Sequence, residues 1–150
     1  MSDQRAPRTD VDDLYQATIV DHDRAPRNLG ALAGATHHAT VDNPLCGDVV
    51  TMHIRVADGA VQEVAFEGRG CALSRAAASI MTTMVQGRPV DASRQLATAF
   101  EQFVQSAPDA AIPDELGDLR AFSGVRRFRS RRVCAMLAFR SLIQALDSGT

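Results

Sequence analysis

The chain has no lysine and no tryptophan; its 16 basic residues among 150 are all arginine. A guanidinium stays protonated and cannot act as a Schiff-base amine or a lysine-type base, so lysine chemistry is excluded. Apolar runs are only a few residues long, far short of the roughly 20 needed to span a bilayer as a helix. Residues 1–13 are polar, carry Asp3, Asp10, Asp12 and Asp13, and lack the apolar core of a secretory leader. A cytoplasmic location is therefore expected, where thiols stay reduced. Cysteine is scarce: Cys46, Cys71 and Cys134. Three is odd and too few for a disulfide framework, and no C-x-x-C pair marks a zinc ribbon or a thioredoxin motif. A net charge of -2 gives no global pull toward nucleic acid or anionic membrane, and neither is expected as a partner.

What is present describes an ordinary globular chain: 45% apolar and 23% charged residues, enough for one domain with its own core. Residues 1–10 read as a disordered lead and 11–150 as a single domain. A helical stripe runs from Val11 to about Asp23 through Leu14, Tyr15, Thr18, Ile19 and His22, with acidic residues at its start and Pro26 beyond its end. His37–Val41 is a first strand. Val50, Met52, Ile54 and Val56 alternate with Thr51, His53 and Arg55 as a half-buried second strand. Asp58-Gly59 is a tight-turn signal, and a returning strand of ambiguous register follows through Val61–Glu67. A small-residue helix begins at Cys71 and stops near Gly87. Another runs from Pro89 to about Gln105, with Leu96, Phe100, Phe103 and Val104 on one side. Residues 106–120 read as loop, and a last helix spans Val133–Asp147, burying Val133, Met136, Leu137, Ile143 and Leu146, with Gly149 after it. The fold class is α+β: a small antiparallel three-stranded sheet flanked by helices.

The three cysteines stand at element boundaries rather than on apolar stripes. Cys46 lies in Asn43-Pro44-Leu45-Cys46-Gly47-Asp48, where Gly47 permits close backbone approach and Asp48 sets a carboxylate two residues from the thiol. Cys71 follows Gly68-Arg69-Gly70 at a strand-to-helix junction, where a helix start favours the thiolate. Cys134 is read as opening the last helix behind Arg126, Arg127, Arg129, Arg131 and Arg132, gaining from dipole and cations alike. On spacing alone these are buried hydrophobes, reactive thiols or metal ligands. Thiolate and carboxylate donors suit tetrahedral zinc, and an iron–sulfur cluster also takes mostly thiolates.

Four motifs, in order, carry a resemblance over Leu14 to Leu146. They are Leu14-Tyr15 with Asp21-His22 and Pro26-Arg27-Asn28, the Cys46 loop, Phe66-Glu67-Gly68-Arg69-Gly70-Cys71-Ala72-Leu73-Ser74, and Ser123-Gly124-Val125-Arg126 with Arg131-Arg132-Val133-Cys134-Ala135. The chain resembles the iron–sulfur cluster assembly family of IscU, SufU and the NifU N-terminal domain, and within it the SufU branch. The long Cys71–Cys134 interval holds a Pro/Asp-rich insertion like that of SufU, and Val133 stands where IscU-type scaffolds carry a His and SufU-like proteins usually a Lys. The resemblance implies a SufE/NifU-like α+β fold and zinc held by Cys46, Asp48, Cys71 and Cys134. It implies that Cys46 takes persulfide sulfur from a pyridoxal-phosphate cysteine desulfurase of SufS type, with a downstream Suf scaffold or apo-proteins as recipients. The protein would then be a sulfurtransferase-type partner rather than a stand-alone enzyme. Two alternatives remain: an IscU-like scaffold building and passing on a transient [2Fe–2S] cluster on the same ligands, and a structural zinc interaction module. The chemistry of the residues agrees with a relay: zinc keeps a thiolate deprotonated, and a sulfur acceptor must expose a thiolate to a sulfane sulfur.

The remaining titratable side chains have plainer readings. His22 reads as structural, His37 and His38 as solvated strand ends, and His53 as exposed on the polar strand face. Met81 and Met84 read as core. The arginines from Arg126 to Arg132 read as a solvated face by default, or functionally as a cationic docking surface beside the site.

Overall fold

The computed structural model describes residues 16–44 and 47–148. The sequence expectations for residues 1–10, for the first half of the Val11–Asp23 helix, for Cys46 and for Gly149 lie outside them. The described elements run α1 (Ala17–Arg24), β1 (His37–Asn43), β2 (Asp48–Ala57), β3 (Ala60–Arg69), α2 (Ala72–Val85), α3 (Val90–Val104), a 3-10 segment (Asp114–Arg127) and α4 (Arg129–Ser148). No helix among the described residues is long and apolar enough to cross a membrane.

The sheet is antiparallel with strand order β1-β2-β3. Alternation in β2 sends Val50, Met52 and Ile54 inward, where each is essentially buried. Asp58 and Gly59, at φ +55° and +75°, form the two-residue turn to β3; positive φ at both central positions matches the twist of a hairpin. Register then slips between Arg55 and Val56: Ile54 pairs with Val64, but Val56 pairs with Val61. This bulge resolves the ambiguity of the returning strand. It inserts one extra residue, so Val61 and Val64 both face inward while Gln62 and Glu63 face water. The outer edge of β3 is covered by loop backbone. Phe66 N–H donates to Asn28 C=O at 2.9 Å, Gly30 N–H to Phe66 C=O at 2.7 Å, and Val61 N–H to Arg88 C=O at 2.8 Å.

The helices pack on the inner sheet face and on one another around one buried cluster. Its aromatic centre is Phe100, with a tilted contact to Phe139 at 4.6 Å and an edge-on contact to Phe122 at 5.7 Å. Burying each such ring contributes about 1.5–3 kcal/mol. Helix α1 docks on α2 through buried His22, whose Nδ1 shares a 2.7 Å hydrogen bond with Ser79 Oγ; Arg27 N–H donates to the same oxygen at 2.8 Å. His22 is therefore structural, and burial pulls its pKa down. Ser141 on α4 donates to Ala39 C=O of β1 at 2.9 Å, tying that helix to the edge strand.

Several elements differ from the sequence reading. β1 continues to Asn43, and Val133 and Ile143 are half-buried rather than buried. His53 is not free in solvent: its Nε2 lies 2.6 Å from Glu67 Oε1 across the sheet. The expected loop at 106–120 is replaced from Asp114 onward by 3-10 turns broken at Gly117. The reason lies in spacing: Leu116, Leu119, Phe122 and Val125 recur every third residue and all are fully buried. That is the period of a 3-10 helix, in which i and i+3 eclipse. Lastly, α4 begins at Arg129, not Val133.

Candidate metal centre

Asp48, Cys71 and Cys134 come from three different elements and meet at one end of the sheet. Asp48 is the first residue of β2, paired with Asn43 where the first hairpin closes. Cys71 occupies the position just before α2. Cys134 sits in α4, five residues in. One donor atom from each lies within 4.8 Å of the other two. Asp48 is 4% exposed and Cys134 2%, while Cys71 is half-buried. Cys46 lies outside the described residues, two positions before Asp48 in the same hairpin connection.

The donor set is charged unevenly. Cys134 donates its S–H to the Cys71 sulfur, which holds the Cys71 thiol down to about 6 against the cost of burial; the backbone N–H groups of Ser74 and Leu73 in the first turn of α2 also favour its thiolate. The same hydrogen bond, together with burial, pushes the Cys134 thiol up. This corrects the sequence reading of Cys134. With α4 beginning at Arg129, Cys134 is past the first turn, where the helix dipole has faded, and it is buried beside an ionising sulfur. Two adjacent sulfurs cannot both carry charge there without a cation.

Asp48 has one oxygen engaged and one not. Oδ1 accepts from Cys71 N–H at 3.3 Å; Oδ2 is buried and has no hydrogen-bond partner among the described residues. A buried carboxylate oxygen without a partner is costly. An orphaned oxygen, a thiolate and a second thiol aimed at one point are the chemistry of a cation site, so these residues fit a soft divalent metal.

The sequence profile of the NifU-like N-terminal domain family matches residues 14–135. The chain belongs to this family. It is 34% identical over 133 residues to the iron–sulfur cluster assembly scaffold protein IscU of Streptococcus pyogenes, covering 89% of this chain and 82% of that protein. It is equally 34% identical over 133 residues to the zinc-dependent sulfurtransferase SufU of Bacillus subtilis, covering 88% of each. The crystal structure of the N-terminal part of a nitrogen-fixing NifU-like protein from Brucella abortus superposes with a TM-score of 0.84 at 28% identity, over 93% of this chain and 96% of that one.

Within this NifU-like domain two further residues shape the site. Gly70 runs at φ +152°, and a Cβ there would stand 2.5 Å from Asp48 Cγ and Oδ1 and 2.8 Å from Ser74 Oγ. Only glycine lets the backbone before Cys71 pass so near the carboxylate. Ser74 donates its hydroxyl to Cys71 C=O at 3.1 Å, closing the first turn. The signal for both lay in Gly68-Arg69-Gly70-Cys71, which reads as punctuation until Asp48 is known to lie against it. Arg126, read above as part of a solvated face, is 5% exposed. Its guanidinium bonds Ser123 C=O, Ser106 Oγ, Ala107 C=O and Ala110 C=O and lies 4.8 Å over the Phe103 ring. It is a staple for the loop after α3, not a docking residue.

Proposed function

We propose that this protein is a SufU-type sulfur acceptor in iron–sulfur cluster assembly, holding zinc on Cys46, Asp48, Cys71 and Cys134 and carrying sulfur on Cys46. The observation that carries the reading is the convergence of Asp48, Cys71 and Cys134 around a buried, unpartnered carboxylate oxygen in a chain so similar to a zinc-dependent sulfurtransferase. Asp48 is a harder, weaker partner for zinc than a fourth thiolate, which suits a site that releases one ligand. Val133, next to Cys134, supplies no donor, which supports the sulfurtransferase over a scaffold with an additional histidine. Zinc, when bound, would keep the thiols deprotonated at neutral pH.

The transfer itself is thiol–disulfide chemistry. The Cys46 thiolate attacks the terminal sulfur of a persulfide on a pyridoxal-phosphate cysteine desulfurase. A new S–S bond forms on Cys46, the desulfurase S–S bond breaks, and the electron pair leaves on the desulfurase cysteine sulfur. The number of persulfides is unchanged, so no oxidant is required.

A second reading, a scaffold assembling a [2Fe–2S] cluster on the same residues, is supported by the equally similar scaffold protein of Streptococcus pyogenes. Metal analysis of protein purified without chelator separates the two. One equivalent of zinc, a colourless protein and stimulation of a desulfurase are expected; a stable chromophore after iron and sulfide reconstitution, transferable to an apo-protein, would favour the scaffold. Cys46→Ala should abolish persulfide loading while the circular dichroism spectrum is kept. If that variant instead loses only stability, and the wild type accepts no sulfur, the centre is a structural zinc site.

A further inference from the structure

The arginines around the thiols do not all serve the fold. Arg126 is consumed by its loop, and Arg75 by Asp23 at 3.3 Å. Arg69 and Arg129 are exposed, and their side chains make no hydrogen bond or ion pair among the described residues. Arg69 ends β3, two residues before Cys71 and paired with Val49, the neighbour of Asp48. Arg129 begins α4, about 7.5 Å of helix rise before Cys134. Arg132, between them and Cys134, keeps a buried Nε without a partner among the described residues. Of the carboxylates nearby, Asp23 is engaged by Arg75 and Glu67 by His53, while exposed Asp42 stands one strand beyond Val49 from Arg69 and forms no ion pair with it among the described residues.

This placement works against the stability of α4. Its first turn holds arginines and no acidic residue, although the positive end of a helix dipole favours carboxylates there. A chain with net charge -2 has set exposed cations from two elements within five residues of its cysteines, Arg69 on the sheet face opposite Asp48 and Arg129 at the start of α4. Local choices that oppose the fold mark sites kept for another purpose.

We propose that Arg69 and Arg129, with Arg132 behind them, form a cationic collar that receives an acidic segment of the sulfur-donating protein and holds it over the cysteines. The inference rests on the sulfur-acceptor reading above and adds the chemistry of the partner's contact surface. Complementary charge at the rim raises the encounter rate and sets orientation more than it adds to the chemical step.

The test is a titration of the cognate cysteine desulfurase with wild-type protein, Arg69→Glu, Arg129→Glu and the double variant, across a range of salt. Zinc content and loading of Cys46 by a small-molecule persulfide, which needs no partner, are measured on the same samples. The double variant should raise the half-saturating concentration about tenfold or more and flatten its salt dependence, with maximal rate, zinc and partner-free loading kept. Lysine at both positions should restore most of the affinity. Polyaspartate should compete against the wild type and not against the double variant, an arm that holds even if charge reversal impairs folding. Half-saturation within about twofold of wild type, or a fall in maximal rate alone, overturns the collar. A wild-type protein that accepts small-molecule persulfide but never engages the desulfurase also overturns it, leaving the thiol chemistry standing. A wild type that accepts sulfur from neither source overturns the functional reading itself.

Discussion

Gly70 shows how a single missing methyl group holds this site open. Gly70→Ala places a carbon 2.5 Å from the Asp48 carboxylate in a backbone conformation that L-residues avoid, at an expected cost of about 1–3 kcal/mol. It should also lower zinc retention if Asp48 is the hard donor of the proposed set, because the carboxylate is displaced; thermal denaturation and metal content check both. The thiols give a pH signature. In metal-free Cys46→Ala protein only Cys71 and Cys134 remain to titrate, and half of one thiolate should appear near pH 6, read by ultraviolet absorbance. The linkage has two signs. Cys71 has its folded pKa lowered from 9.0 to about 6, so the stability it adds is fully present above pH 9 and is lost as pH falls toward 6. Cys134 has its folded pKa raised, so its contribution is kept below pH 9 and lost as pH rises beyond it. Metal-free protein should therefore be most stable near pH 9. A flat profile from pH 6 to 9 would show that the sulfur–sulfur hydrogen bond does not form.

At the scale of elements, the boundaries that moved are those on which the chemistry depends. Beginning α4 at Arg129 carries Cys134 away from the helix end into a buried second turn, reversing the expected direction of its pKa. The 3-10 segment turns a presumed loop into a wall of the core, and Arg126 anchors it. Arg126→Ala leaves Ala107 and Ala110 carbonyls without their charged donor and is expected to cost about 2–3 kcal/mol, the scale of hydrogen bonds to a charged group. Arg126→Lys should recover little of this, since a single ammonium cannot reach the same fork of acceptors. Denaturant unfolding of the two variants measures the difference, while the half-saturating concentration for the desulfurase should stay at the wild-type value.

Across the whole molecule, the three converging donors tie the first hairpin, the start of α2 and the body of α4 to one point. A metal held there binds only the folded state, so free zinc at a hundred times its dissociation constant should add about 2.7 kcal/mol of stability. Chelation should lower the melting temperature, and zinc titration should restore it in a concentration-dependent way; an unchanged melting temperature would argue against a centre shared by these elements. The α+β class, the hairpin at Asp58-Gly59 and the limits of α2 and α3 were legible in the chain, because alternation and turn chemistry are local properties. So was the structural role of His22. Spacing alone left the cysteines open, and the family resemblance singled out the candidate donors. The charge state of each thiol, the orphaned oxygen of Asp48, the need for Gly70 and the burial of Arg126 were not legible. Each depends on what stands within a few ångströms after residues far apart in the chain are packed together, and neither spacing nor composition encodes that distance.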